Sequence, residues 1–226
     1  MWLGGQAPMD WREEERFKKF VSGIKDRAAV SYAYSIGIDL GKLRDRTVIS
    51  TIETQRSRDS GEETHAVKAL HVLKLGTDYA QQLAAILTFL DKPCFSLWAT
   101  ETLIDCTGLG EPMADLLDAK GVKFKRVSIT SSGEANSRQG RHYVSRTYLI
   151  NLMIRYLARD NFKISSDLSH APALREELAT MTIENSKAGN QFYASGAHDD
   201  LIMATSLALY GVDRKTRYRC GVTSLI

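Results

Sequence analysis

Acidic residues occur in this sequence at places where a strand ends or a helix begins. Asp39 closes an alternating apolar run, Asp105 precedes a Gly-x-Gly turn, and the adjacent Asp199 and Asp200 open an Ala-rich apolar run. Carboxylate oxygens are the ligands that Mg²⁺ and Mn²⁺ prefer, whereas zinc favours histidine and cysteine. Two such ions about 3.5–4 Å apart can activate a water and stabilise the leaving oxygen of a phosphodiester. The pattern therefore predicts a divalent-metal site.

Each acid also has an ordinary structural interpretation. Asp39 alone is typical of a turn cap, and Asp105 of an Asx turn before Gly108. Asp199 suits the N-cap of the following helix, with Asp200 favourably placed in the helix dipole. The occurrence of these acids together, in one order of strands and helices, favours the metal site. Three further residues are candidates for a supporting role around the ions: His198, Asp45 and Glu101.

The hydrophobic pattern predicts the elements that would hold the acids. Alternation over residues 34–39 and 47–52 predicts a β-hairpin, and residues 65–75 predict a third antiparallel strand. Two more strands are expected at 95–100 and 122–127, and a polar loop at 130–141. Helices are expected from Tyr79 to Leu90, from Glu111 to Leu117, from Tyr148 to Tyr156, at 172–179 and from Asp199 onward, with a hairpin around Gly189. This order indicates an α/β domain with a mixed central sheet flanked by helices on both faces.

The length and composition of the chain limit its organisation. The 226 residues suffice for one sizeable core, and 43% hydrophobic with 25% charged residues is ordinary for a globular protein. We expect an N-terminal extension or linker over residues 1–33, one domain over 34–212 and a basic tail over 213–226. The net charge of +3 permits a nucleic-acid partner without requiring one.

Cysteine usage and hydropathy exclude several classes of protein. Cys94, Cys106 and Cys220 are odd in number and form no Cys-x-x-Cys pair, so neither a disulfide framework nor a zinc knuckle is expected. No run approaches the ~18 apolar residues of a membrane span, and the first 20 residues lack the apolar core of a signal peptide. We therefore expect an intracellular protein with no membrane partner.

Three sequence blocks together resemble a known family. They are Gly37-Ile-Asp39-Leu-Gly41 with Asp45-Arg-Thr47, then Ile104-Asp105-Cys-Thr-Gly108-Leu-Gly110, then His198-Asp-Asp-Leu-Ile-Met-Ala204. In this order they resemble the nuclease domain of the large terminase subunit of tailed bacteriophages, a member of the RNase H-like superfamily. The resemblance implies a metal-binding triad of Asp39, Asp105 and Asp200 with Asp199 assisting. It also implies Mg²⁺- or Mn²⁺-dependent cleavage of double-stranded phage DNA concatemers, in the cytoplasm of an infected bacterial cell.

The same resemblance implies partners and a path for DNA. The expected partners are double-stranded DNA, the terminase ATPase domain, the small terminase subunit and the portal protein. No Gly-x-x-x-x-Gly-Lys-[Ser/Thr] loop occurs, so we expect an excised domain or a separately encoded relative without the ATPase half. Ser145-Arg146 stands where the family commonly has a Lys-Arg pair. The candidate phosphate contacts are Lys123, Lys125, Arg126, Arg138, Arg141 and Arg146, with His142 nearby.

Three other functions fit parts of the pattern. A resolvase of branched DNA junctions has the same fold and similarly placed acids. An actin-like or sugar-kinase-like nucleotide-binding protein has a first phosphate loop similar to Gly37-Ile-Asp39-Leu-Gly41, but this chain is short for two such lobes. A DNA-binding module with decayed chemistry is disfavoured, because all four acids are present.

Overall fold

Ten strands and six helices form the part of the chain that the structure, a computed structural model, describes: residues 30–41, 45–108, 110–131, 135–186, 189–194 and 199–219. The strands are β1 Val30–Asp39, β2 Val48–Ser57, β3 Glu63–Val72, β4 Ala99–Asp105, β5 Lys125–Thr130, β6 Asn136–Arg138, β7 Arg141–Ser145, β8 Phe162–Ile164, β9 Met181–Ser186 and β10 Gly189–Ala194. The helices are α1 Tyr79–Leu90, α2 Pro93–Leu97, α3 Gly110–Ala119, α4 Arg146–Leu157, α5 Ala171–Ala179 and α6 Asp200–Arg219.

Eight strands form one mixed sheet in the order β6-β7-β5-β4-β1-β2-β3-β8. Strands β1, β2 and β3 are antiparallel, whereas β4, β5 and β7 continue the sheet in parallel from β1. Strand β8 is parallel to β3, and β9 pairs with β10 in a separate hairpin. The ends of β1 and β4 lie side by side, since Ile38 pairs with Ile104. The predicted mixed sheet of an RNase H-like fold is confirmed.

Helices cover both faces of this sheet because each central strand alternates apolar side chains between the two faces. Leu103 belongs to the buried cluster that includes α4, α5 and α6, and the next residue, Ile104, belongs to the cluster that includes α1 and α3. Both side chains are fully buried. The sheet therefore has two apolar cores, and its strand ends remain available for polar groups.

Helix α6 lies directly on β1, backbone against backbone. A Cβ added to Gly37 would lie 2.1 Å from the carbonyl oxygen of Ala204 and 2.5 Å from the nitrogen of Ala208. The hydroxyl of Ser35 donates a hydrogen bond of 2.7 Å to the carbonyl of Ala208. Ser35 precedes Gly37, and its contacts fall later along the helix, so α6 runs antiparallel to β1. The first residue of α6, Asp200, therefore lies at the strand end that carries Asp39.

Two segments differ from the predictions. Residues 95–100 were expected to form a strand, but Pro93 begins helix α2 at its first position, where proline is favoured, and β4 starts only at Ala99. Residues 130–141 were expected to be a loop, yet they contain β6 and the start of β7. Every residue of β6 is exposed, so this edge strand has no apolar alternation that a sequence pattern would reveal.

The first strand and the last helix are the outermost elements of the described ranges. Strand β1 begins at Val30, and helix α6 continues to Arg219. Asp78 is the N-cap of α1, because its side chain accepts the N–H of Gln81 at 2.8 Å. Within the described ranges, no helix combines the length and the apolar character needed to cross a membrane.

The contact at Gly37 predicts a large effect of adding one methyl group. Gly37→Ala should lower the free energy of unfolding by about 3 kcal/mol, because the new Cβ meets backbone atoms that no side-chain rotation can move. Gly76→Ala is the control. Its Cβ meets nothing within 4 Å, so it should cost only about 1 kcal/mol for the left-handed φ of 80°. Urea denaturation measures both. An equal or smaller loss for Gly37→Ala would contradict the contact.

Candidate metal centre

Asp39 and Asp200 meet at one end of the sheet because α6 packs against β1. Asp39 is the last residue of β1, and Asp200 is the first residue of α6. The Asp200 side chain is buried, and its Oδ2 accepts the backbone N–H of Arg46 at 3.1 Å. This bond joins the connection between β1 and β2 to the start of the helix, and so holds the Asp200 carboxylate in place.

Asp105 reaches the same end of the sheet from β4. Its Oδ1 accepts the backbone N–H of Thr107 at 2.9 Å and the hydroxyl of Thr107 at 2.6 Å, which is an Asx turn. The Thr107 hydroxyl oxygen in turn accepts the N–H of Ile129 at 2.8 Å. A Cβ at Gly110 would lie 2.1 Å from the Asp105 carbonyl oxygen, so glycine is required where α3 begins. The turn interpretation holds, and the turn orients the carboxylate.

Electrostatic repulsion marks this end of the sheet. Burial raises the pKa of Asp39 well above its ordinary value, and the carboxylates of Asp105 and Asp200 raise it further. Asp45 also raises the pKa of Asp39, whereas the Arg146 guanidinium lowers it. The fold therefore brings carboxylate oxygens together at a cost in electrostatic free energy, which a bound divalent cation would offset.

The fit to a metal rests on the type and charge of these donors. Among the residues that the structure describes, no group of three or more His, Cys, Asp or Glu side chains is close enough to hold an ion as it stands. The acids that act on Asp39 all offer hard carboxylate oxygens, the donors that suit Mg²⁺ and Mn²⁺. The donor chemistry therefore fits these ions.

Arg146 binds the fourth acid of the predicted set. Its guanidinium forms an ion pair with Oδ2 of Asp199, at the start of α6. Arg146 begins α4, whose N-cap Ser145 accepts the N–H of Tyr148 at 3.2 Å. The helix start thus presents a positive charge to the acidic cluster.

The predicted supporting residues are placed differently from one another. Asp45 lies near enough to Asp39 to raise its pKa, so the structure brings it to the cluster. The structure does not bring Glu101 there. Its carboxylate pairs with Arg214, in the later half of α6. Glu101 precedes Asp105 by four residues in β4, which separates the two residues by about 13 Å along the strand. His198 lies outside the described residues.

The predicted phosphate contacts also divide into two kinds. Arg126 forms ion pairs with Glu111 at 2.5 Å and with Asp115 at 2.9 Å, and it contacts a third α3 carboxylate. Arg141 pairs with Glu111 at 2.6 Å. These two arginines are therefore occupied within the protein. The exposed members are Lys123, Lys125 and Arg138, Arg146 lies at the cluster, and His142 is buried.

Sequence reasoning missed Glu177 on α5. Its Oε2 accepts the backbone N–H of Ile202 at 3.1 Å, in the first turn of α6. Burial, with the nearby Asp200 carboxylate, raises its pKa to about 7 despite the hydrogen bonds that it accepts. The residues lie 25 positions apart. No spacing rule connects them, so only the tertiary structure reveals the contact.

Comparisons with known proteins agree with this architecture. The chain is 23% identical over 191 residues to the large terminase subunits of Thermus phage G20c and of Thermus virus P23-45, a match that covers 83% of this chain. It spans about one third of the length of these curated relatives, 33% of each.

A solved structure has the same fold. It is the human cytomegalovirus terminase nuclease domain, with a TM-score of 0.51 and 13% identity, and the match covers 94% of this chain and 98% of that chain. No protein-family model matches the chain. The resemblance first seen in the acidic motifs is confirmed: the chain is similar to terminase large subunits in sequence and to a terminase nuclease domain in fold.

Proposed function

We propose that this chain is a metal-dependent endonuclease that cleaves double-stranded DNA. The observation that carries the proposal is the convergence of Asp39, Asp105 and Asp200 at one end of the sheet, where burial and the two neighbouring carboxylates raise the pKa of Asp39. A protein gains no stability from such crowding, so the acids are best explained by a cation that they bind. The likeness to terminase large subunits supports a nuclease in phage DNA packaging.

The three acids would hold the metal in the proposed site. Asp39 would be the central ligand, with Asp105 and Asp200 on either side of it. When bound, Mg²⁺ or Mn²⁺ supplies an activated water and stabilises the charge that develops on the phosphate. The protein keeps its carboxylates in position through the Asx turn of Asp105 and through the Arg46 N–H on Asp200. Arg146, paired with Asp199, brings positive charge to the edge where a phosphate would approach.

The proposed substrate is phage DNA. We propose that the chain cuts concatemeric phage genomes as double-stranded DNA during packaging, in the cytoplasm of the infected bacterial cell. Because the chain spans one third of its curated relatives, we propose that an ATPase domain, the small terminase subunit and the portal protein act with it. The exposed Lys123, Lys125 and Arg138 would contact phosphates without reading sequence.

Plasmid cleavage tests the proposal directly. Wild-type protein should convert supercoiled plasmid to nicked and linear forms with Mn²⁺ or Mg²⁺ and not with EDTA. Asp39→Asn should reduce the rate at least about 100-fold, since even changes to groups around metal ligands cost 10–100-fold. The control Asp59→Asn, in the exposed turn after β2, should leave the rate unchanged.

Undiminished cleavage by folded Asp39→Asn would overturn the site. A strong preference for four-way junctions over linear duplex would instead favour the resolvase, which has the same fold.

DNA affinity should separate the exposed Arg138 from the paired Arg126. Arg138→Ala should weaken binding to duplex DNA and reduce the salt slope by about 1, because one phosphate contact is lost. Arg126→Ala should leave the slope unchanged and instead lower the free energy of unfolding by about 1 kcal/mol, because Arg126 is bound to α3 carboxylates. Fluorescence anisotropy across a salt series, with urea denaturation, measures both. A larger loss of slope for Arg126→Ala would contradict this assignment.

The raised pKa of Asp39 predicts the pH dependence of stability without metal. The folded state holds the Asp39 proton more tightly than the unfolded state, so this group stabilises the fold below about pH 4 and loses that contribution as pH rises through the folded pKa. In EDTA, Asp39→Asn should therefore lose less stability than wild type between pH 5 and pH 8. Urea denaturation along a pH series measures this, with Asp59→Asn following wild type. Parallel curves for Asp39→Asn and wild type would contradict the repulsion.

A further inference from the structure

We infer that Glu177 is a positioning residue of the proposed metal centre, a carboxylate on α5 that caps the first turn of α6 and thereby sets the position of Asp200. The inference rests on the proposed function in one respect, that Asp200 binds a metal. The capping contact itself is independent of that function, so the two can be tested separately.

The first turn of any α-helix has backbone N–H groups without partners inside the helix. In α6 the N–H of Met203 bonds to the carbonyl of Asp199 at 2.9 Å, which makes Asp199 the N-cap residue. An N-cap side chain ordinarily accepts the N–H of the second or third helical residue. Those residues are Leu201 and Ile202, and the Asp199 carboxylate is instead bound to Arg146.

Glu177 supplies the acceptor. Its Oε2 accepts the N–H of Ile202 at 3.1 Å, and the carboxylate also accepts the N–H of Leu201. A carboxylate placed on two N–H groups at a helix start gains from both the hydrogen bonds and the helix dipole. These contacts lower the pKa of Glu177, whereas burial, the larger effect, and the Asp200 carboxylate raise it, to about 7 in all.

The consequence falls on Asp200, which directly precedes the two capped residues. Its carboxylate is held from the other side by the N–H of Arg46. Asp200 thus lies between a bond from the β1–β2 connection and a turn that α5 holds in place. Removing the Glu177 carboxylate would release the turn while leaving the sheet and the Asp39 strand unchanged.

Hydrogen exchange tests the capping contact without metal. In Glu177→Ala, the amides of Leu201 and Ile202 should exchange about 10-fold faster than in wild type, which corresponds to the loss of a cap. Glu177→Gln keeps an acceptor oxygen and should restore most of the protection. The matched control is Glu176→Ala, which removes the exposed neighbouring carboxylate of the same helix and should change neither amide. Unchanged exchange in Glu177→Ala would overturn the cap.

Calorimetric titration with Mn²⁺ tests the positioning role. Glu177→Ala should weaken binding about 10-fold, as loss of groups that orient metal ligands does, and Glu177→Gln should recover it. If Glu177→Ala is too unstable to titrate, Glu177→Asp takes its place, because the shorter side chain keeps the charge but withdraws the acceptor oxygens from the N–H of Ile202. If Glu177→Ala exchanges the Leu201 and Ile202 amides faster but binds Mn²⁺ as tightly as wild type, the positioning role of Glu177 is overturned. Absence of Mn²⁺ binding by folded wild type would overturn the proposed function instead, while exchange would still confirm or overturn the cap.

Discussion

The direct contact between the backbones of α6 and β1 is the constraint on which the proposed site depends. Gly37 leaves no side chain between strand and helix, and the helix lies within a distance that a Cβ would not allow. A helix held further away would still cover the sheet, but its first turn would not reach the strand end. The position of Asp200 beside Asp39 therefore depends on Gly37, two residues before Asp39. The contact that packs α6 on the sheet is therefore also the contact that positions the proposed site.

This geometry places more negative charge at the strand ends than the neighbouring positive groups neutralise. Two unit charges about 4 Å apart repel by about 4 kcal/mol at the effective dielectric of a protein surface, whereas a hydrogen bond to a charged group stabilises by about 1.5–3 kcal/mol. The backbone donors on Asp105 and Asp200 offset part of that cost, and Arg146 offsets another part. Asp39 is still left with a strongly raised pKa. A divalent cation would offset the remaining repulsion, and this is the physical basis of the proposed metal centre.

The sequence predicted what local periodicity encodes, and it missed what distant partners decide. Alternation identified the antiparallel strands, and acids at element ends identified where charge would gather. Pairing is different, because it depends on which element lies opposite. Arg126 was expected to bind DNA, but α3 places carboxylates against it. Glu101 was expected near the acids, but the length of α6 brings Arg214 to it. Glu177 has no sequence signature, since its partner lies beyond an intervening hairpin.

The acids also differ in how they are restrained, and this difference has consequences for function. Asp105 is oriented by Thr107, two residues away, so its geometry is formed as soon as its own turn forms. Asp200 is oriented by Arg46 and by a helix start that Glu177 caps, so its geometry requires three separate parts of the chain. A contact within one turn is unaffected when a neighbouring element shifts slightly. A contact between two elements passes such a shift on to the residue that it holds. We therefore expect a displacement of α5 to affect the proposed metal centre through Asp200, because Asp39 and Asp105 are held by strands of the sheet.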